Sequence, residues 1–153
     1  PYEPLRAEVL ELGRASIDRE HRTPEVLTLL WRGIAQYAND LGLRYLMGCS
    51  SLTSRNPADG WELYRLLENC RVSPEFATQP TAAYACPAAS ASGGAPPDVR
   101  VPRLLKTYLA IGARIAAPPA WDRAFGTIDF LTLLDLKLLS PAARHRFLAP
   151  LTQ

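Results

Sequence analysis

Residues 11–37, ELGRASIDREHRTPEVLTLLWRGIAQY, open as an extended run and close as a helix. Between the two stands Arg22-Thr23-Pro24, where an anion-binding turn could form. Thr23 suits a helix N-cap and Pro24 the first helical position. Unpaired N–H groups and the helix dipole attract a negative group to such an end, and Arg22 adds a cation. Turns that cradle a diphosphate use glycines so that backbone amides can approach it closely. No glycine stands between Gly13 and Gly33. Glu25, in the first turn, satisfies the same dipole and would repel a second phosphate. Ahead of the turn, Glu11 and Arg14 offer a carboxylate and a planar cation, whose plain reading is a structural ion pair.

The elements that must position these groups follow from pattern and punctuation. Residues 7–17 read as a strand, with Gly13 marking a bulge or a close backbone approach. A helix starts at Thr23-Pro24, with Leu27, Leu30, Ile34, Ala38 and Leu41 on one apolar face and Gly42 as its stop. Residues 44–52 form a second, central strand. Asn56-Pro57 opens a helix to about Asn69, with Leu63, Leu66 and Leu67 buried. Residues 71–102 hold six prolines and the run ASASGGAPP, which predicts a long loop or lid. Pro102 begins a helix with Leu104, Leu105, Tyr108 and Leu109 inward and Gly112 at its end. Residues 114–117 are a short strand and residues 127–136 the strongest one, the two pairing as a hairpin. Ser140-Pro141 caps a last helix that ends near Phe147. This order predicts a mixed α/β layer fold with a right-handed βαβ crossing.

Composition sets outer limits. The chain has 153 residues, 48% hydrophobic and 21% charged, which fits one domain with a real core. A net charge of +2 does not argue for nucleic acid. No apolar run is long enough to span a bilayer. Cys49, Cys70 and Cys86 are widely spaced, no CxxC occurs, and His21 and His145 lie far apart, so no metal site is expected. The first residue is Pro1, so the chain reads as a piece of a longer polypeptide.

Five phrases in order carry a resemblance: ELGRASID at 11–18, LLWRGIAQY at 29–37, RYLMGCSSL at 44–52, VPRLLKTYLAIGA at 101–113 and PAWDRAFGTIDFLTLLDL at 119–136. Together they resemble the C-terminal two-thirds of a GNAT-type N-acyltransferase, more narrowly the ornithine-acyl carrier protein N-acyltransferases that make ornithine lipid. ELGR is also similar to the Glu-x-x-Arg strand motif of acyl-homoserine-lactone synthases. The resemblance implies a GNAT-like mixed central sheet flanked by helices, with the family's N-terminal strands missing from this chain. It implies a single acyltransferase domain over residues 1–153 with residues 71–102 as a proline-rich insert or lid.

The resemblance also implies a reaction. A fatty acyl group, in this reading 3-hydroxyacyl, passes from an acyl carrier protein thioester to the α-amine of an amino acid, first of all ornithine. The alternatives are another acceptor with a signalling product, or a non-catalytic module that binds acyl carrier protein. Ordinary GNAT enzymes hold coenzyme A in an Arg/Gln-x-x-Gly-x-Gly/Ala turn; here the matching positions, 22–27, read RTPEVL. Acyl phosphopantetheine on a carrier protein has one phosphate, so the missing glycines favour it over acyl-CoA, which stays the second donor. No permanently bound cofactor is implied.

Carried onto these residues, Glu11 becomes the base, partly buried with a raised pKa, and Arg14 the fork for the acceptor carboxylate. Backbone N–H near Ser16 and Ile17 faces the thioester carbonyl. Tyr108, four residues before Gly112, protonates the departing thiolate, although a tyrosine on an apolar helix face is ordinarily core. Arg22, Thr23, Val26 and Leu27 take the phosphopantetheine. Arg71, Arg100, Arg103 and Lys106 flank the insert and suit an acidic carrier protein. A lipid product implies a cytoplasmic protein in peripheral contact with the inner membrane.

Overall fold

Why the chain makes a sheet with an opening in it begins with its second strand. The computed structural model describes residues 1–13, 17–88 and 99–148. Strand β2, Tyr45–Leu52, pairs antiparallel with β5, Thr127–Asp135, in unbroken register from Tyr45↔Asp135 to Leu52↔Ile128. On its other side β2 takes β1, Val9–Leu12, in parallel, but only from Val9↔Tyr45 to Leu12↔Gly48. Strands β3, Arg114–Ile115, and β4, Ala120–Asp122, both pair with β5. The result is a mixed five-stranded sheet ordered β1-β2-β5-β3, with β4 also on β5. Helices flank it, as in a GNAT-like α/β fold.

Helix α1, Pro24–Asp40, makes the crossover from β1 to β2. Its boundaries follow the sequence closely. Thr23 accepts a hydrogen bond from the Val26 N–H at 3.3 Å, and Gly42 ends the segment at φ +66°, a conformation glycine adopts without strain. Helices α2, Pro57–Leu66, α3, Arg103–Ala110, and α4, Pro141–Leu148, complete the set. Asn56 caps α2 by accepting from the Ala58 N–H at 3.1 Å. Gly112 ends the α3 segment at φ +110°.

Alternation along β2 and β5 sorts side chains to two faces. Leu46 and Leu134 meet Ala35 and Ala38 of α1 and Ala143 of α4 in one core. Farther along the same face, Ile128 and Phe130 meet Leu63 of α2 and Leu105 of α3 in a second core. The opposite face, with Tyr45 and Leu133, packs against Tyr2, Leu5, Val72 and Phe76. A bidentate Arg44–Asp135 pair, closest at 2.7 Å, ties the shared end of β2 and β5.

Several expectations need correction. Among the described residues the first strand is only Val9–Leu12: Glu3–Glu8, which contains Pro4, coils as a 3-10 turn, and residues 14–16 of the expected strand lie outside the described residues. Leu30 and Leu41 of the α1 stripe are 42% and 56% exposed, because the stripe reaches past edge strand β1. Leu66 and Leu104 are also exposed, since adjacent helical residues point about 100° apart and Leu67 and Leu105 take the inward positions. The insert is less loop-like than its prolines suggest. Val72 N–H donates to Ile115 O at 2.9 Å, Thr78 N–H to Ala116 O at 2.8 Å and Trp61 Nε1 to Pro87 O at 2.7 Å. Its residues 89–98 lie outside the described residues.

Two glycines test this geometry. A Cβ on Gly48 would stand 2.8 Å from Leu12 O, whereas one on Gly33 meets nothing within 4 Å. Gly48→Ala is expected to destabilise by about 1–3 kcal/mol. Gly33→Ala is expected to stabilise by roughly 0.5–1 kcal/mol, as helix interiors favour alanine. Urea unfolding followed by tryptophan fluorescence checks both, and equal midpoints would contradict the close approach of β1 and β2.

Candidate functional site

The two cores on the helix face do not meet. Between Leu46/Leu134 and Phe130/Ile128 the paired residues are Gly48 and Thr132, one without a side chain and one polar. Thr132 turns its hydroxyl onto the sheet, donating to Gly48 O at 2.8 Å. At the same level β1 leaves β2, and Gly13 follows. A cavity of about 220 Å³ opens there. Leu12, Gly13, Gly48, Cys49 and Thr132 line it from the sheet; Leu27, Leu30, Trp31 and Ile34 line it from α1; Tyr108, Ile111 and Ala113 line it from α3 and its end. Its side chains are apolar apart from the Thr132 and Tyr108 hydroxyls and the Trp31 indole N–H; Cys49 borders it from the strand, with its thiol on the other sheet face beside Leu131.

Trp31 and Tyr108 meet across this cavity edge to face, centroids 5.1 Å apart at 71°. Burial pushes the Tyr108 phenol above its ordinary pKa, so the ring keeps its proton at neutral pH. Cys49 is exposed, and partial desolvation, together with the nearby carboxylates of Asp129 and Glu11, holds its thiol above its ordinary pKa.

Glu11 precedes the lining residue Leu12 but does not itself line the cavity. It pairs with Met47, so it shares the sheet face of Met47 and Cys49, opposite the helices. The expected partly buried carboxylate is not found: Glu11 is exposed, because β1 is an edge strand and nothing among the described residues covers its outer face there. Its proposed neighbours Arg14 and Ser16 lie outside the described residues. Ile17 is half-buried and its carbonyl accepts from Arg22 Nε at 3.0 Å.

At the start of α1 the donors are already engaged. Thr23 Oγ1 takes the Val26 N–H, and Leu27 N–H bonds Thr23 O at 3.1 Å. The Glu25 carboxylate is held below its ordinary pKa by the Thr23 hydroxyl and by its own backbone N–H. Leu27 lines the cavity, whereas Val26 faces a separate shallow groove of about 500 Å³ on the outer side of α1. Arg22 stays exposed beside the turn.

Sequence reasoning missed Cys49, Thr132 and the Gly48 gap. The signal was there: the inward file of β2 reads Leu46, Gly48, Ser50, Leu52, an apolar row interrupted by two small residues. Ser50 is 5% exposed and its hydroxyl has no hydrogen-bond partner among the described residues. The basic residues beside the insert differ in their surroundings. Arg71 is held by Tyr64, donating to its carbonyl at 2.9 Å and lying 3.9 Å above its ring; Arg103 and Lys106 are exposed on α3. No residue of 71–88 lines the cavity. Among the described residues, no group of three His, Cys, Asp or Glu side chains comes together as a metal site. No described helix is long and apolar enough to cross a membrane.

Comparison with known proteins decides which likeness this geometry carries. Relatives named L-ornithine N(alpha)-acyltransferase from Brucella abortus, Rhizobium meliloti and Rhodobacter capsulatus are 29%, 30% and 28% identical over 137, 153 and 154 residues. The likeness is to the L-ornithine N(alpha)-acyltransferases. It covers 86%, 86% and 94% of this chain, and 49%, 46% and 57% of those relatives. The chain thus spans about half the length of the curated relatives it matches. No family model and no solved structure matches it.

This thiol gives a test free of any assumed reaction. Cys49 is expected to react with iodoacetamide more slowly than a free thiol at neutral pH, and faster as pH rises toward its raised pKa. Asp129→Asn removes one carboxylate and is expected to speed labelling at fixed pH. Peptide mass spectrometry reads both, and a rate indifferent to Asp129→Asn would contradict the coupling of these side chains.

Proposed function

We propose that this chain carries the acyl-transfer site of an N-acyltransferase. In this reading a 3-hydroxylated fatty acyl group moves from the phosphopantetheine thioester of an acyl carrier protein to the α-amine of ornithine, giving lyso-ornithine lipid. One observation carries the proposal: an apolar cavity opens beside the end of the β1–β2 pairing, with the Tyr108 phenol, kept protonated by burial, in its lining. The relatives' names support the acyl transfer and the acceptor.

The amine nitrogen attacks the thioester carbon, the new C–N bond forms, and the C–S bond breaks. An amine is mostly protonated at neutral pH, so the attack needs a base. Glu11 serves from β1, on the face away from the helices, where an acceptor can arrive without crossing the acyl cavity. Strand β2 continues from Cys49 to Leu52 past the last residue that β1 pairs. Backbone N–H at this edge, together with that of Ser16 and Ile17, is suited to the developing oxyanion, a stabilisation of about 3 kcal/mol per donor. Tyr108 gives its proton to the leaving thiolate, for which its raised pKa keeps it in the correct form. Arg14 takes the acceptor carboxylate and Arg22 the single phosphate. Leu27 packs on the pantetheine arm, with Thr23 and Val26 shaping the turn beneath it.

The partner is the acidic carrier protein, met by exposed cations such as Arg22, Arg103 and Lys106. The product places the enzyme at the cytoplasmic face of the inner membrane by peripheral contact.

Incubation with 3-hydroxyacyl carrier protein and an equimolar amino-acid mixture, read by mass spectrometry, is expected to yield one N-acylornithine mass. No N-acyl product from an intact, bound thioester would overturn the reading. Tyr108→Phe is expected to lower turnover about 10²-fold while leaving donor binding intact. The phenol acts as a donor only while protonated, so the wild-type rate should fall as pH rises through the raised pKa, a limb the Phe variant lacks. Glu11→Gln is expected to slow transfer about 10²-fold. Full activity in both variants would sink the assigned roles.

A further inference from the structure

Two buried hydroxyls stand side by side on the helix face of the sheet. Ser50 is 5% exposed and Thr132 7%. Ser50 pairs with Phe130 and Thr132 with Gly48, so the two are diagonal neighbours across β2 and β5. Diagonal neighbours on one face lie about 7–8 Å apart, a gap that one oxygen atom between them can span with two hydrogen bonds. Thr132 lines the cavity, and Ser50 follows the lining residue Cys49 along β2. The two hydroxyls differ in what they already bind. Thr132 gives its proton to Gly48 O at 2.8 Å and keeps a lone pair that can accept another. Ser50 has no hydrogen-bond partner among the described residues and still has a proton to give. A buried hydroxyl left unpaired is costly, and folded proteins carry few of them.

We infer that Ser50 and Thr132 together read a hydroxyl group on the acyl chain, which accepts from Ser50 Oγ and donates to Thr132 Oγ1. The inference rests on the acyl-transfer reading and assigns the 3-hydroxyl of that reading to two residues. The chemistry of the pair selects the group. A hydroxyl donates and accepts through one atom, which is what a free proton on one side and a free lone pair on the other require. A carbonyl oxygen would meet the Thr132 oxygen with no proton between them. An amide N–H would leave the Ser50 proton unused. A saturated chain offers neither bond and leaves Ser50 unpaired. The position is consistent with the assigned chemistry. The carbon that bears a 3-hydroxyl lies two bonds from the thioester carbon, and Tyr108, the donor to the leaving thiolate, lines the same cavity as Thr132.

The test compares S-(3-hydroxydecanoyl)-pantetheine with S-decanoyl-pantetheine, with dissociation constants measured by calorimetry and no acceptor present. Wild type is expected to bind the hydroxylated donor about tenfold more tightly. Ser50→Ala is expected to bring the two constants together by weakening the hydroxylated donor alone. Should the alanine variant unfold, Ser50→Cys, whose thiol is a weaker donor of similar shape, is expected to lose most of the preference. Urea unfolding gives a second readout. Ser50→Ala is expected to leave the midpoint unchanged or to raise it, since no bond within the protein is lost. A lowered midpoint overturns the unpaired hydroxyl on which the inference stands. Equal affinities in wild type, a preference that survives Ser50→Ala, or equal weakening of both donors overturns the inference itself. Transfer assays with the same two donors keep the ideas apart. A preference that disappears with Ser50→Ala, without any N-acyl product, keeps the hydroxyl reader and removes the catalytic reading; transfer of both groups with no preference does the reverse.

Discussion

Among the described residues, strand β2 is paired on both sides as far as Gly48 and on one side only from Cys49 to Leu52. Other features of the site follow from that asymmetry. A strand held on two sides is fixed in place, so its Tyr45–Gly48 half anchors the cores on both faces. The half held only by β5 keeps its position through the long antiparallel register, yet offers a free edge toward β1. Gly48 stands at the transition and lets the β1 backbone come within 2.8 Å of where a Cβ would be. The close approach and the divergence thus sit next to each other, and the cavity begins at the divergence.

Packing on the helix face keeps the opening from collapsing. Helix α1 covers one core and α2 the other, with α3 contributing Tyr108 to the first and Leu105 to the second. Bringing the two cores together would require side chains at Gly48 and Thr132 to fill the seam. Gly48 has none, and Thr132 spends its hydroxyl proton on Gly48 O. Leu30 and Ile34 face both the cavity and the outer groove, so the wall on that side is one helix thick. The position of α1 therefore sets the width of the cavity directly. Its caps matter for the same reason, since a helix that frayed at Thr23 would release Leu27 from the lining.

Local chemistry was the legible part of the sequence. Thr23-Pro24, Asn56-Pro57, Gly42 and Gly112 each mark a helix end because one residue's conformation or side-chain oxygen suffices to end it. Strand extents were less legible, since a strand lasts only as long as its partner. Residues 7–17 have an extended look, but only Val9–Leu12 finds β2 in register. Burial on helices failed where it depends on distant coverage, as at Leu30 and Leu41 beside an edge strand. Within the site, Tyr108 was reachable through a phrase that carries the family likeness and Leu27 through the turn that departs from it, and both line the cavity. Glu11 was reachable as a residue but not as an environment: its exposure is a property of the edge strand. Cys49 and Thr132 carry no motif, and their role comes from facing Gly13 and Gly48 across three strands.

The turn without glycine can be understood in these terms. A glycine-rich turn leaves amides bare so that a diphosphate can occupy them. At Arg22-Thr23-Pro24 the chain fills those places itself. Pro24 has no N–H to offer, Glu25 folds its carboxylate onto its own amide, and Thr23 takes the amide of Val26. The helix dipole is thereby met by a resident carboxylate, and a second anion of high charge would have to displace it against like-charge repulsion. One phosphate beside Arg22 avoids that cost, because the guanidinium lies outside the closed turn and commits only its Nε to Ile17 O. In the proposed reading such a turn would discriminate by charge count, favouring a donor that brings a single phosphate.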